Sequence, residues 1–175
     1  MATHLRPKEG SGLRWIVKRK RQDLSLLDFG LVNLKKGEAL RDGTKDEEMV
    51  FHLFGGSCSA SGEGFDFKKV GDRDDVFGGK ASALYIPPHT RYVIEAVTDL
   101  HAAICTAPAG AGGAPRVIRP KDVGVRKVGK GNWYREVHDV GVENLEAKSL
   151  IFGETFNPPG NWSSAPPHKH DVDNP

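Results

Sequence analysis

The stretch "ALYIPPHTRYVIEA", Ala83–Ala96, sets two runs rich in β-branched and aromatic residues on either side of Pro-Pro-His-Thr. Pro87 and Pro88 lack the N–H that a helix or a central ladder needs, so they close the first run, and a second opens at Arg91. The stretch reads as strand, turn, strand. The same grammar recurs in "GLVNLKK", "MVFHLFGGSCSA", "GFDFKKV", "HAAICTA", "PRVIRPKDVGVRKV", "NWYREVHDV" and "KSLIFGETF", each bounded by turn residues. "GFDFKKVGDRDDVFGG" predicts a strand, a charged turn and a short following strand. No segment carries a sustained 3.6-residue apolar repeat, and with 21 glycines and 11 prolines the pattern predicts an all-β sandwich or barrel.

The 175 residues suffice for one ordinary domain or for one and a half small ones. Hydrophobic residues at 38% and charged residues at 27% give the profile of a soluble globular chain. A net charge of +2 gives no ground for a nucleic-acid partner. The densest basic run, "KRKR" at Lys18–Arg21, has no aromatic residues interleaved and reads as a solvated strand end or turn. Cys58 and Cys105 lie far apart in apolar or small-residue settings, which predicts two buried free thiols and no nucleophile. No apolar run approaches the ~18 residues of a membrane span. "MATHLRPKEG" lacks the apolar core of a signal peptide, so a cytoplasmic protein with no membrane partner is expected. "NWS" at Asn161–Ser163 fits the glycosylation pattern, but without a secretion signal it is discounted.

One composition shift divides the chain. "APAGAGGAP", Ala107–Pro115, is almost purely small residues and predicts a flexible or irregular linker. It lacks the Gly-Lys-Ser/Thr ending of a phosphate-binding loop and opens no helix. It separates a first β unit, residues 1–110, from residues 111–175, the linker and opening strands of a second unit. Three strands cannot close a barrel, so they are expected to join the first unit or to continue beyond Pro175; unpaired edges also leave room for a homo-oligomer.

Near the end of the sequence, "APPHKHDVDNP" places His168 and His170 one residue apart. On a strand, residues i and i+2 share a face with Cα atoms about 6.5 Å apart. Two imidazoles so placed can reach a single ion at ~2.1 Å. A helix would splay them, and Pro166 and Pro167 argue against one. Two imidazoles are still an incomplete set, since a divalent ion takes three or four protein ligands. Asp171 points to the opposite strand face, and Asp173 sits where the chain turns.

The stretch "GETFNPPGNWSSAPPHKHD", Gly153–Asp171, closely resembles the signature of the 5-deoxy-glucuronate isomerase family of myo-inositol catabolism. "ALYIPPHTRYVIEA", "RVIRPKDVGVRKVGKGNWYREVHDV" and the glycine spacing of "FGGSCSASGEGFDF" extend the resemblance over essentially the whole chain. That family is a bicupin, two tandem jelly-roll barrels, related to the ketol-isomerases of uronate breakdown. The resemblance implies an all-β cupin fold: a first barrel without metal at 1–110, then the start of a second at 111–175. The general cupin pattern runs His-x-His, then a Glu, then a third His on a following strand. His168 and His170 match the first two positions, and the others are expected beyond Pro175, so the chain looks truncated within its second barrel. In the first barrel "SCSASGEGF" carries no histidine, while in "PPHTRY" His89 stands at the motif's glycine and Tyr92 at its histidine. His52, His101 and His138 read as packed or satisfied histidines. Glu95 and Glu154 are candidate barrel-lining carboxylates that no spacing selects.

The implied reaction converts 5-deoxy-glucuronate to 5-dehydro-2-deoxy-gluconate, an aldose–ketose interchange through an enediol. By resemblance His168 and His170 bind a divalent metal, Zn, Mn or Fe, that would stabilise the enediolate. Lys169 faces away. Asn161, Trp162, Ser163 and Ser164 form a polar loop expected to support the pair. Arg116, Arg119 and Arg135 are unranked candidates for the carboxylate of a small-molecule uronate substrate. A chain ending at Pro175 is expected to show little or no isomerase activity. The rivals are a non-catalytic cupin module holding a sugar acid or metal, and another cupin enzyme such as a uronate ketol-isomerase or a dioxygenase.

Overall fold

The computed structural model of the chain describes residues 5, 9–19 and 25–163. Among them thirteen strands follow one another. They are β1 (Gly12–Val17), β2 (Asp28–Leu34), β3 (Ala39–Gly43), β4 (Glu47–Gly55), β5 (Cys58–Gly62), β6 (Phe65–Val70) and β7 (Ser82–Ile86), then β8 (Arg91–Ala96), β9 (Leu100–Pro108), β10 (Arg116–Ile118), β11 (Gly124–Val128), β12 (Arg135–Gly141) and β13 (Phe152–Phe156). Among the described residues no helix is long and apolar enough to cross a membrane.

The strands form a six-stranded sheet in the order β1-β2-β9-β4-β7-β10 and a four-stranded sheet in the order β3-β8-β5-β6. A third sheet runs β11-β12-β13. The pairings are antiparallel, and the first two sheets face each other as a jelly roll. Alternation decides what lies between them. From the six-stranded sheet Val32, Met49, Phe51, Leu53, Leu84 and Ile104 point inward, and from the four-stranded sheet Cys58, Ala60, Tyr92 and Ile94 meet them. A second apolar cluster covers the opposite face of the larger sheet. There Val50, Ala83, Tyr85 and Ala107 pack with Ile118, Val123, Val140, Leu145 and Leu150. Strand β4 is therefore covered on both sides.

Several sequence expectations change here. "MVFHLFGGSCSA" is two strands, because at Gly56 the backbone (φ 86°) leaves the larger sheet for the smaller one. "PRVIRPKDVGVRKV" is also two, parted by a 3-10 turn at Pro120–Asp122. The strand expected after the charged turn of "GDRDDVFGG" is not formed. Arg73 Nη1 donates to the Val76 and Gly79 carbonyls at 3.4 and 2.9 Å, and the Asp75 carboxylate accepts the Phe77 N–H at 2.7 Å. Strands β1 and β3 went unread: β1 runs into the basic stretch, and β3 offers only Ala39 and Leu40 as apolar residues. The stretch Ala107–Pro115 is irregular beyond β9 but not loose. Ala107 and Ala109 are buried, and a side chain at Gly112 would press on Tyr85, Pro87 and Pro88. Its small residues serve close approach, and β10 beyond it completes the larger sheet against β7. Lys18 and Arg19, the described half of "KRKR", are not simply solvated: both pair with Asp28, and Arg19 also with Glu47. Lys18 also lies over the Trp15 ring, its Nζ 3.6 Å from the centroid.

Gly56 illustrates the tightness of the corner. Its φ is left-handed, and an added Cβ would overlap the Asp99 carbonyl oxygen. Gly56→Ala is expected to lower stability by about 3 kcal/mol through strain and overlap together. Gly64→Ala, where φ is also positive but nothing lies within 4 Å, should lose only about 1 kcal/mol. Urea denaturation of the two variants checks the difference.

Candidate functional site

The outward residues of β4 are Glu48, Val50, His52 and Phe54, and of these Glu48 and His52 carry polar groups onto the face that the C-terminal segment covers. Glu48 is fully buried, yet no cation pairs with it among the described residues. Its carboxylate accepts hydrogen bonds from the backbone N–H groups of Lys148, Ser149 and Leu150 at 2.9, 2.6 and 2.8 Å, and from the Tyr85 hydroxyl at 2.9 Å. Three successive amides and a phenol replace the water that burial removes. Burial, and then the neighbouring Glu48 carboxylate, push the Tyr85 hydroxyl well above its ordinary range.

Four residues on, His52 meets a second carboxylate. Its Nε2 donates to Glu154 Oε1 of β13 across 2.9 Å. Arg73 closes the cluster with Nη1 at 2.9 Å from Glu154 Oε2 and Nη2 at 2.5 Å from Oε1. The same guanidinium donates to the Leu53 carbonyl at 2.8 Å, so its fork is held by the barrel before Glu154 arrives. Burial alone would raise the Glu154 pKa. The hydrogen bonds and charges of Arg73 and His52 outweigh that and hold it at about 2. A carboxylate so ionised and so fully engaged is a poor proton acceptor near neutrality; what it can do is bind strand to barrel. Arg73 Nε and His52 Nδ1 are buried without a hydrogen-bond partner among the described residues.

Strand β13 then leads into Asn157–Ser163, which doubles back on the turn between β11 and β12. Asn161 Nδ2 donates to the Tyr134 carbonyl at 2.7 Å, the Trp162 N–H to that of Asn132 at 2.8 Å, and the Trp133 and Trp162 rings lie 6.2 Å apart at 37°. Of the polar loop, Asn161 and Trp162 are thus held against the β11–β12 turn.

The two histidines expected to bind a metal, His168 and His170, lie outside the described residues, as do Ser164, Asp171 and Asp173. Among the described residues no group of three His, Cys, Asp or Glu side chains could hold a metal ion. His101 packs edge-on to Phe54 at 5.2 Å, and His138 lies 4.6 Å from the Phe156 ring. Glu95 points outward and is exposed, and Glu154 lies between barrel and third sheet, so neither lines the barrel interior. The three candidate arginines do not converge: Arg119 Nη1 donates to the Lys69 carbonyl, Arg135 Nη1 to that of Trp133, and Arg116 is exposed on β10. Both cysteines are free, and burial pushes the Cys58 and Cys105 thiols up to about 12 and about 11. His89 adopts φ 58°, the left-handed backbone that suits a glycine, and Tyr92 is buried in the barrel core. Sequence reasoning missed Glu48 and Arg73. The alternation of Met49, Phe51 and Leu53 assigns Glu48 to the opposite strand face, but nothing local says that this face is buried too.

A jelly roll of facing antiparallel sheets, with its entry into a further sheet pinned to the outer face, defines the cupin class. Residues 3–175 match the KduI/IolB family, and the chain belongs to it. It is 43% identical over 148 residues to a 5-deoxy-glucuronate isomerase of Geobacillus kaustophilus, covering 83% of this chain and 53% of that one. With the protein of that name from Geobacillus thermodenitrificans it shares 37% over 176 residues, 99% of this chain and 63% of the other. The crystal structure of an IolB-like protein from Salmonella typhimurium superposes with a TM-score of 0.87 at 31% identity, over 95% of this chain and 64% of that one. The chain thus spans between half and two thirds of the length of these relatives.

Because the Glu154 pKa falls from 4.5 to about 2 on folding, the unfolded chain binds more protons between those values. The cluster's contribution, roughly 3 kcal/mol at about 1.4 kcal/mol per unit, is complete above pH 4.5 and is lost as pH falls through 2. Glu154→Gln should be less stable than the parent by about that much at pH 7, and the gap should close toward pH 2. Denaturant titration of both proteins across that range measures it.

Proposed function

We propose that this protein is an aldose–ketose isomerase converting 5-deoxy-glucuronate to 5-dehydro-2-deoxy-gluconate. The observation that carries the reading is family membership over residues 3–175, with relatives bearing that isomerase name. The reaction moves one proton from C2 to C1 and one from the C2 hydroxyl to the aldehyde oxygen, with no net change in composition. His168 and His170 would supply two of the ligands to a divalent metal, Zn, Mn or Fe, which when bound would supply Lewis-acid stabilisation of developing negative charge. Residues 1–110 form the first, metal-free barrel, and residues 111–175 the connection and first strands of the second. What supports the reading among the described residues lies upstream of the pair: β13 is fixed at Glu154, and Asn161 and Trp162 tie the loop at 157–163 to the β11–β12 turn. The substrate is a small uronate in the cytoplasm, with neither nucleic acid nor membrane involved.

The test is turnover by protein of determined intact mass on a panel holding 5-deoxy-glucuronate and the keto-uronate of the related ketol-isomerases. Protein larger than the 19.1 kDa of these 175 residues by the rest of a second barrel is expected to convert the first substrate alone, a turnover abolished by a chelator and restored by one of the three metals, whereas a chain of 19.1 kDa should show little or none. His168→Ala and His170→Ala should each lower turnover about 100-fold or more. Turnover indifferent to both substitutions would overturn the ligand assignment, and exclusive use of the keto-uronate would transfer the activity to the rival isomerase.

A further inference from the structure

Two carboxylates, Glu48 buried and Glu154 partly so, face β4 in opposite senses. Glu48 belongs to the strand and is caught by the incoming segment at Lys148–Leu150; Glu154 belongs to the incoming segment and is caught by His52 of the strand and by Arg73. Glu48 and His52 are four residues apart on one strand face, which separates their Cα atoms by about 13 Å. Lys80 Nζ donates to the Val123 carbonyl at 2.9 Å and Ser149 Oγ to that of Pro108 at 2.7 Å, which adds single neutral-acceptor contacts between the C-terminal segment and the barrel. The two carboxylate clusters are the multiply bonded attachments, and at that separation they set position and rotation together. Between them Val50 lies against Leu145, Leu150 and Val140, an apolar contact that favours association but tolerates sliding.

Polar groups do not tolerate it. A slip of one residue along β13 presents Gly153 or Thr155 to Arg73, and leaves a buried guanidinium and a buried carboxylate without each other. A slip at the other end pulls three amides from Glu48. Away from the observed register Glu48 would keep only the Tyr85 hydroxyl, and Glu154 would lose both Arg73 and His52, so the observed arrangement is the one that satisfies both carboxylates.

We propose that the outer row of β4 is a register gauge, in which Glu48, His52 and Arg73 are positioning residues that set β13, and through it the loop from Asn157 onward. The consequence for catalysis rests on the reading that the chemistry lies beyond β13; the positional claim does not. It assigns a working role to the first barrel: it is the jig against which the second is laid.

Hydrogen exchange read residue by residue tests it on the intact chain, with circular dichroism of the Trp133–Trp162 pair as a second signal. Glu48→Gln and Glu154→Gln should each speed exchange of the amides of 148–156 by at least about 10-fold, while those of β2 and β9 keep their rates. The tryptophan couplet should weaken with the far-ultraviolet β signal retained. Tyr85→Phe, which removes one of four bonds to Glu48 and keeps the fold if Glu48→Gln does not, should move the same amides less and in the same direction. Unchanged exchange at 148–156, or an acceleration spread equally over β2, β9 and β13, would overturn the proposal. A parent protein that shows the localised pattern but turns over neither sugar acid would sink the catalytic reading and leave the gauge standing.

Discussion

The structure depends on one strand having no solvent face. β4 lies at the centre of the larger sheet between β9 and β7, and its inward side chains close the barrel core. In an antiparallel barrel the other face normally meets water and is polar. Here it is polar in part and buried all the same, so each polar group on it must have a partner. Glu48 has the Tyr85 hydroxyl within the barrel, but its three amide donors and the Glu154 partner of His52 Nε2 come only with the return of residues 145–156 across the sheet. The return of the chain and the chemistry of β4 are therefore one constraint: without the segment, a carboxylate and an imidazole would be exposed with no structural task, and without them the segment would meet an apolar patch with no register.

The two carboxylates are satisfied by different means, and the difference follows from where each comes in the chain. Glu48 is embedded in a strand whose own N–H and C=O groups are committed to its ladders, so it can only reach out, and it meets an irregular stretch whose amides are free to converge. Glu154 stands in a ladder beside His138 and reaches toward the barrel, where Arg73 has been drawn in from a loop. Arg73 can serve because its loop does not pair as a strand: the same guanidinium that holds Glu154 takes the Val76 and Gly79 carbonyls, which a further strand would have needed.

Much of this was legible in the sequence at the level of pattern. "ALYIPPHTRYVIEA" reads as strand, turn, strand and is β7, a turn and β8, with His89 taking the backbone that a glycine would take. The C-terminal signature marks the family, and its Asn161 and Trp162 are bound as supporting residues would be. The illegible part was tertiary. β3 pairs with β8 although its own residues are largely polar, so its strand character comes from its neighbour. The role of Glu48 and Arg73 needed the knowledge that β4 is covered twice, which no local periodicity conveys. The small residues of Ala107–Pro115 look like flexibility in one dimension and turn out to be clearance in three.

The barrel interior also bears on where chemistry can occur. Tyr92 stands in the motif where a cupin histidine would, and it is packed among Cys58, Ile94 and Phe51 rather than facing an opening. Burial raises its hydroxyl well above the ordinary phenol range, as it raises the Cys58 thiol, so neither offers an anion or a ligand to a cation at neutral pH. Between the two sheets lies a cluster of buried apolar side chains, among them Phe51, Leu53, Leu84 and Ile94. The rim between Phe54, Val76 and His101 opens a cavity of about 910 Å³ to solvent, but its lysine and one of its aspartates, Lys35 and Asp99, are already paired with each other. The outer face is the one that carries two buried charges and a returning chain. The polar groups beneath that returning chain, Glu48, His52 and Arg73, are all engaged in holding it against the sheet.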